Sequence, residues 1–314
     1  MINVYRVSHV GVRVTDVEKA ENFYVNLLGF VETEKGEDYL YLRGIEERQH
    51  HSLALMKAPS PGLKYIAFRV SSPEDLDRAE KTIDSMGLPH RKFDERGVKD
   101  SIIFQDPSGF PVVLYYEMDQ LEDMRLKFSR HRGPSPVRLA HFNLIVKDIK
   151  VALKFYSEVL GFKVTEMFYD EKGELQVVWI TKRGDSHEVA ISQSKRAPGF
   201  HHESFYVHDV KDIIRAADVL ASEGLWDSIE RGPGRHGTTL GLYLYVRDLD
   251  KNRFEFFTAD YTVLDPDKWN VVKWTWDQRR YRSDFWGRPI PDSWYNEYVK
   301  VEDINTGKLV EWGQ

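Results

Sequence analysis

The chain has 314 residues, a formal charge of −6 and no cysteine. Its length exceeds one ordinary domain and suggests about two, and its acidic balance gives no reason to expect nucleic acid or an anionic membrane as a partner. The missing thiols exclude disulfides, thiolate zinc sites and iron–sulfur clusters, so any metal must sit on His, Asp or Glu. No apolar run nears the roughly 18 residues of a membrane span. The opening MINVYRVSHVGVRV lacks a secretory apolar segment and reads as a strand, and a cytoplasmic protein is expected.

Taken in order, the strand around His9–Val14 leads into a predicted helix over 15–30. Val17, Ala20, Tyr24, Leu27 and Leu28 follow helical spacing, with Asp16 as N-cap and Gly29 as left-handed stop. A strand at Tyr65–Val70, the helix SPEDLDRAEKTIDSMG and strands around 101–105 and 110–116 follow. Gly133-Pro134-Ser135-Pro136 marks a linker. The order then recurs: a strand at His141–Val146, the helix KDIKVALKFYSEVLGF, a strand at His202–Val207, the helix DVKDIIRAADVLASEG, and strands around 240–247 and 252–258. His9 matches His141, Phe23-Tyr24 matches Phe155-Tyr156, and Gly29-Phe30 matches Gly161-Phe162, all at one offset of 132 residues. The expected fold is therefore α+β, with two domains (1–118 and 138–260) of two βαβββ units each, joined by a linker over 119–137. Residues 261–314 break the pattern and hold six of the eight tryptophans. Too aromatic for a disordered tail, this stretch is expected to pack back as a lid or against a neighbouring subunit.

Period-two parity places Phe142, Leu144 and Val146 on one face of their strand and His141 on the other. By the same rule His202 opposes Phe205 and Val207, and Glu255 opposes Phe254 and Phe256. With the apolar faces turned to the helices, His141, His202 and Glu255 share the concave side of one sheet. Singly, each has an ordinary explanation: a satisfied core histidine, a solvated pair at His201-His202, a strand carboxylate. A carboxylate among Phe254, Phe256 and Phe257 is nonetheless costly unless something binds it. Two imidazoles and one carboxylate leave the opposite coordination positions open, as non-haem Fe(II) oxygenases require. In the first half only His9 matches a member of the set, Tyr65 and Val113 standing in place of His202 and Glu255, so that half is expected to be structural and without metal.

The series HFN (141–143), HH (201–202), ERGPGRHG (230–237), YLY (243–245), RFE (253–255) and DQRRYRSDFWGRP (277–289) resembles the two-domain type I extradiol dioxygenases of the vicinal oxygen chelate superfamily, in particular their homoprotocatechuate (3,4-dihydroxyphenylacetate) 2,3-dioxygenase branch. The resemblance implies Fe(II) or Mn(II) on His141, His202 and Glu255, and an acid–base histidine at His187. It further implies active-site roles for His236 and Tyr245, pocket roles for Asn143 and Trp179, and a pair, Arg231 and Arg280, for the substrate's side-chain carboxylate. The reaction implied is insertion of O2 into a carboxylated catechol by a homotetramer. Other activities of the fold are cleavage of a different catechol and metal-dependent isomerase or transferase chemistry of glyoxalase type. Two features depart from the pattern. Asp248-Leu249-Asp250-Lys251-Asn252 replaces the usual Pro/Gly turn, putting loop shape in doubt, and the earlier chain end should alter the tail's oligomer contacts.

Overall fold

The computed structural model describes residues 1–312. Each half builds one sheet. The first has eight strands in the order Val31–Lys35, Tyr39–Arg43, Leu53–Lys57, Val4–Val14, Gly62–Val70, Pro111–Tyr115, Ser101–Gln105 and His90–Lys92. The second repeats this plan as Lys163–Tyr169, Leu175–Thr181, Val189–Gln193, Arg138–Val146, Gly199–Tyr206, Arg253–Thr258, Leu242–Arg247 and Ile229–Arg235, with two short strands from the tail added. The alternation read in the sequence sets the faces. Phe142, Leu144, Val146, Phe205, Phe254 and Phe256 join one core that also takes in Val10, Val12, Ile66 and Phe68 of the first half. Phe30 of the first half packs on Phe205 and Phe254, and Phe162 of the second packs on Phe68. Among the described residues no helix is long and apolar enough to cross a membrane.

The two helices predicted at the repeated positions are not regular. Val17–Glu21 is α-helical, but Asn22–Leu27 widens into a π-helix, and Ile149–Lys154 is likewise followed by a π-helical Phe155–Val159. Neighbours on an α-helix point about 100° apart. The wider turn lets consecutive bulky rings, Phe23-Tyr24 and Phe155-Tyr156, all be buried. Asp16 and Asp148 cap these helices, and Gly29 adopts φ +82°, where a Cβ would stand 1.8 Å from the Arg132 carbonyl oxygen.

The buried tyrosines cross between halves. Tyr24 donates to Asp248 at 3.0 Å and Tyr156 donates to Asp106 at 3.1 Å, so each half supplies one donor and one acceptor. Asp248 opens the unusual turn. That turn nevertheless closes normally: Lys251 takes the left-handed conformation that Gly109 takes in the first half, while the backbone N–H groups of Asp250 and Asn252 donate to the Asp248 carboxylate. The doubt about its shape is thereby removed. Burial pushes the Asp106 carboxyl up to about 6, against the donors Phe110 N–H, Ser108 N–H and Tyr156. A carboxyl raised on folding contributes stability that is full below its unfolded pKa, near 4, and is lost as the pH rises through about 6. Asp106→Asn does not titrate. Its melting-temperature deficit against the parent should be largest near pH ~4 and shrink toward pH ~7; a deficit constant over that range would contradict this assignment.

The tail packs back, covering the second sheet. Val272–Trp274 extends the sheet beside Lys163–Tyr169, and Val299–Lys300 pairs with Gly199–Phe200. Glu166, itself buried, fastens it by accepting from Tyr261, Trp274, Thr238 and the Thr239 N–H. Further on, Glu302 reaches the first half and pairs with Arg13 at 2.6 Å.

Candidate active site

A cavity of about 400 Å³ opens on the concave side of the second sheet, under the tail. Antiparallel register sets Ser204 opposite His141 and His202 opposite Asn143; Ser204 also pairs with Glu255, which pairs with Tyr245. Facing side chains from adjacent strands therefore meet. His141 Nε2 stands 2.8 Å from Glu255 Oε2 and 3.2 Å from His202 Nε2, and His202 Nε2 is 3.4 Å from the same oxygen. Despite this closeness both Glu255 oxygens lack a hydrogen-bond partner, as does His141 Nδ1. Burying such groups unpaired costs several kcal/mol. The three atoms instead converge on a shared point. Donors about 2.1 Å from one ion and at right angles around it stand about 3.0 Å apart, close to the separations found. The residues fit a divalent cation of the Fe(II) or Mn(II) kind.

The surroundings keep these donors in ligating form. Burial lowers His202 to about 4, although Glu255 opposes the shift. Burial would raise the Glu255 carboxyl, but His141, His202 and His236 outweigh it and hold it well below the usual range. His201 donates from Nε2 to the Trp294 carbonyl at 2.9 Å, so its Nδ1 accepts from His202 Nδ1 at 2.7 Å. That bond turns the lone pair of His202 Nε2 to the centre. His236 is fixed in the same way: its Nδ1 donates to the Ser283 carbonyl and its Nε2 accepts from Tyr245 at 2.9 Å.

Residues 6–114 and 138–256, one stretch in each half, match the model of the Glyoxalase/Bleomycin resistance protein/Dioxygenase superfamily. The structure superposes with TM-score 0.94 and 36% identity on homoprotocatechuate 2,3-dioxygenase from Brevibacterium fuscum in complex with 3,4-dihydroxyphenylacetate, covering 98% of this chain and 96% of that one. A metapyrocatechase of Pseudomonas sp. (strain CF600) is 30% identical over 83% of this chain and 89% of its own. The manganese-dependent 2,3-dihydroxybiphenyl 1,2-dioxygenase of Geobacillus genomosp. 3 is 28% identical over 86% and 90%. The chain belongs to the extradiol dioxygenases of this superfamily. The isomerase and transferase readings of the fold are set aside.

Of the residues that the sequence singled out, the dioxygenase brings His141, His202, Glu255, His187, His236, Tyr245, Asn143, Trp179 and Arg231 to the cavity wall. His187 lies with its ring centroid 3.9 Å from that of His141 and its Nδ1 3.1 Å from Ser186 Oγ. Asn143 accepts from Ser192 at 3.3 Å. Arg231 donates to the Ser283 carbonyl, and its guanidinium lies 4.4 Å from the Trp294 ring centroid. Arg280 is a correction. It is exposed and donates to the Gly287 carbonyl, outside the cavity, while Arg279 is exposed over Trp276. The second cavity guanidinium is Arg282, which lies 4.2 Å from the Phe168 ring centroid and 5.4 Å from that of Trp179. The short helix Arg279–Ser283 explains the exchange: residues two apart lie about 200° round the axis, so turning Arg282 inward turns Arg280 out. Burial lowers Arg282 to about 10, which leaves it charged at neutral pH. Trp294, on the helix Asp292–Asn296, was also missed as an individual. It roofs the site, with its ring 4.2 Å from Tyr245 and 4.4 Å from His201.

Proposed function

We propose that this dioxygenase opens the ring of a catechol carrying an acidic side chain, with 3,4-dihydroxyphenylacetate as the substrate and O2 as co-substrate, using Fe(II) or Mn(II) on His141, His202 and Glu255. The observation that carries this is the pair of guanidiniums, Arg231 and Arg282, set in one aromatic-lined cavity with the ligand triad. Each has a buried Nε without a protein partner. Guanidiniums in such a setting suit planar recognition of a carboxylate.

When bound, the cation supplies Lewis acidity, favouring the deprotonated catechol and joining it electronically to oxygen. The protein does the rest. Arg231 and Arg282 bind the carboxylate and thereby set which ring edge meets the triad. Tyr245 stays a protonated phenol, burial and Glu255 raising it well above its ordinary value, and its O–H, held by His236 Nε2 in the free site, turns to a catechol oxygen. Trp179 and Trp294 exclude water from the ring. His187, kept neutral by burial and by the neighbouring His141, moves a proton at Nε2, its Nδ1 being engaged by Ser186. His187→Gln should keep the metal and lower kcat by about 10²–10⁴-fold; metal loss in that variant would remove the role from His187.

In this reading residues 138–260 form the catalytic domain, 1–118 its structural companion and 261–314 the lid. Tyr281, Phe285 and Trp286 lie exposed on that lid and support the homotetramer, which light scattering would test. The deciding assay compares oxygen uptake and yellow ring-opened product with 3,4-dihydroxyphenylacetate, protocatechuate and catechol. Faster turnover of plain catechol would transfer the assignment to a metapyrocatechase-type activity.

A further inference from the structure

The first half gathers a second set of buried groups, of which the repeat alignment paired only His9 with a member of the ligand triad. His9, His51 and Glu95 lie with ligand atoms within 4.8 Å of one another. His9 holds the place of His141. His51 holds that of His187, since each stands two residues before a strand residue (Leu53, Val189) paired with the neighbour of its histidine partner (Val10, Phe142). Tyr65 holds the place of His202. Glu95 comes from the loop between His90–Lys92 and Ser101–Gln105, the counterpart of the loop that carries His236.

The two centres differ in where their donors point. In the second half His141 Nε2 and Glu255 Oε2 are close yet form no hydrogen bond, because both face a common centre. In the first half the bonds are made. His9 Nε2 donates to Glu95 Oε2 at 3.0 Å, His51 Nε2 donates to Oε1 at 3.1 Å, and Tyr65 donates to Oε1 as well. The remaining ring nitrogens are engaged: His9 Nδ1 meets Ser8 Oγ at 3.1 Å, and His51 Nδ1 meets His50 Nδ1 at 3.0 Å. Ser8 Oγ also shares a hydrogen bond with Tyr115, so one hydrogen-bonded run passes from Tyr115 through Ser8 and His9 to the carboxylate. Among the described residues, none of these buried side chains keeps an unpartnered polar atom. Donors aimed at an anion replace lone pairs aimed at a cation.

We propose that the first half carries a closed counterpart of the metal centre in which the Glu95 carboxylate occupies the place of the ion. This half then binds no metal, and removing Glu95 leaves a pocket of N–H and O–H donors for a small carboxylate such as formate. Metal counting on the full chain tests the first consequence. After loading with Fe(II) or Mn(II) and removal of excess, the parent should hold one ion per chain and Glu255→Ala none. An ion that persists in Glu255→Ala and disappears when His51→Ala is added would overturn the proposal. Melting tests the second. Glu95→Ala should melt several degrees lower, and formate should restore part of that loss while leaving the parent unmoved. A folded Glu95→Ala indifferent to formate would refute the pocket; if that variant does not fold, the metal count on Glu255→Ala still decides.

Discussion

Glu255→Ala should give a folded protein that holds no divalent ion and turns over no catechol. The two Glu255 oxygens are buried with no hydrogen bond, so what keeps them tolerable is attraction to the centre that His141 and His202 also face. Removing the only carboxylate leaves two imidazoles, a weak set for a hard oxygen-preferring ion. Loss of a mere outer partner already costs 10–100-fold in metal affinity, and loss of a ligand should exceed that. The effect also reaches stability. An ion bound only by the folded chain adds about 2.7 kcal/mol at a hundredfold excess over its Kd. The parent's melting temperature should therefore rise with added Mn(II) and fall with chelator, while Glu255→Ala responds to neither. Parent-level metal content in the variant would remove Glu255 from the centre.

The parts of this site legible in the sequence are those on strands. Period-two alternation is a local property, so the face on which His141, His202 and Glu255 lie follows from Phe142, Phe205 and Phe254 being apolar. Repetition then brings the strands together without further information. The turn at Asp248 misled because residue type suggests a loop shape only statistically; here Lys251 adopts the left-handed conformation and a ring of bonds to Asp248 supports it. The π-helical turns at Asn22 and Phe155 could not be told from α-helix by apolar spacing alone. Glu95 has no counterpart among His141, His202 and Glu255, so no alignment of halves could pair it with His9. The tail is opaque for a related reason: it has no period, and which side of its short helices faces in depends on contacts made elsewhere, such as that of Trp274 with Glu166.

The tail also sets the sharpest expectation about substrate choice. Arg282 is half-buried, lies over Phe168, and has a buried Nε without a protein partner. Holding a charge in that position is expensive unless an anion arrives to share it. A hydrogen bond to a charged group contributes about 1.5–3 kcal/mol, or about 10–150-fold in KM at 1.4 kcal/mol per decade. Arg282→Met keeps an apolar stem against Phe168 and Trp179 while deleting the charge. It should raise KM for 3,4-dihydroxyphenylacetate by that factor and leave KM for catechol nearly unchanged, because catechol has no carboxylate to lose. Arg280→Met, two residues away but exposed, should alter neither. Equal effects of Arg282→Met on both substrates would mean that the guanidinium serves the architecture of the tail, and the case for an acidic side chain would then rest on Arg231 alone.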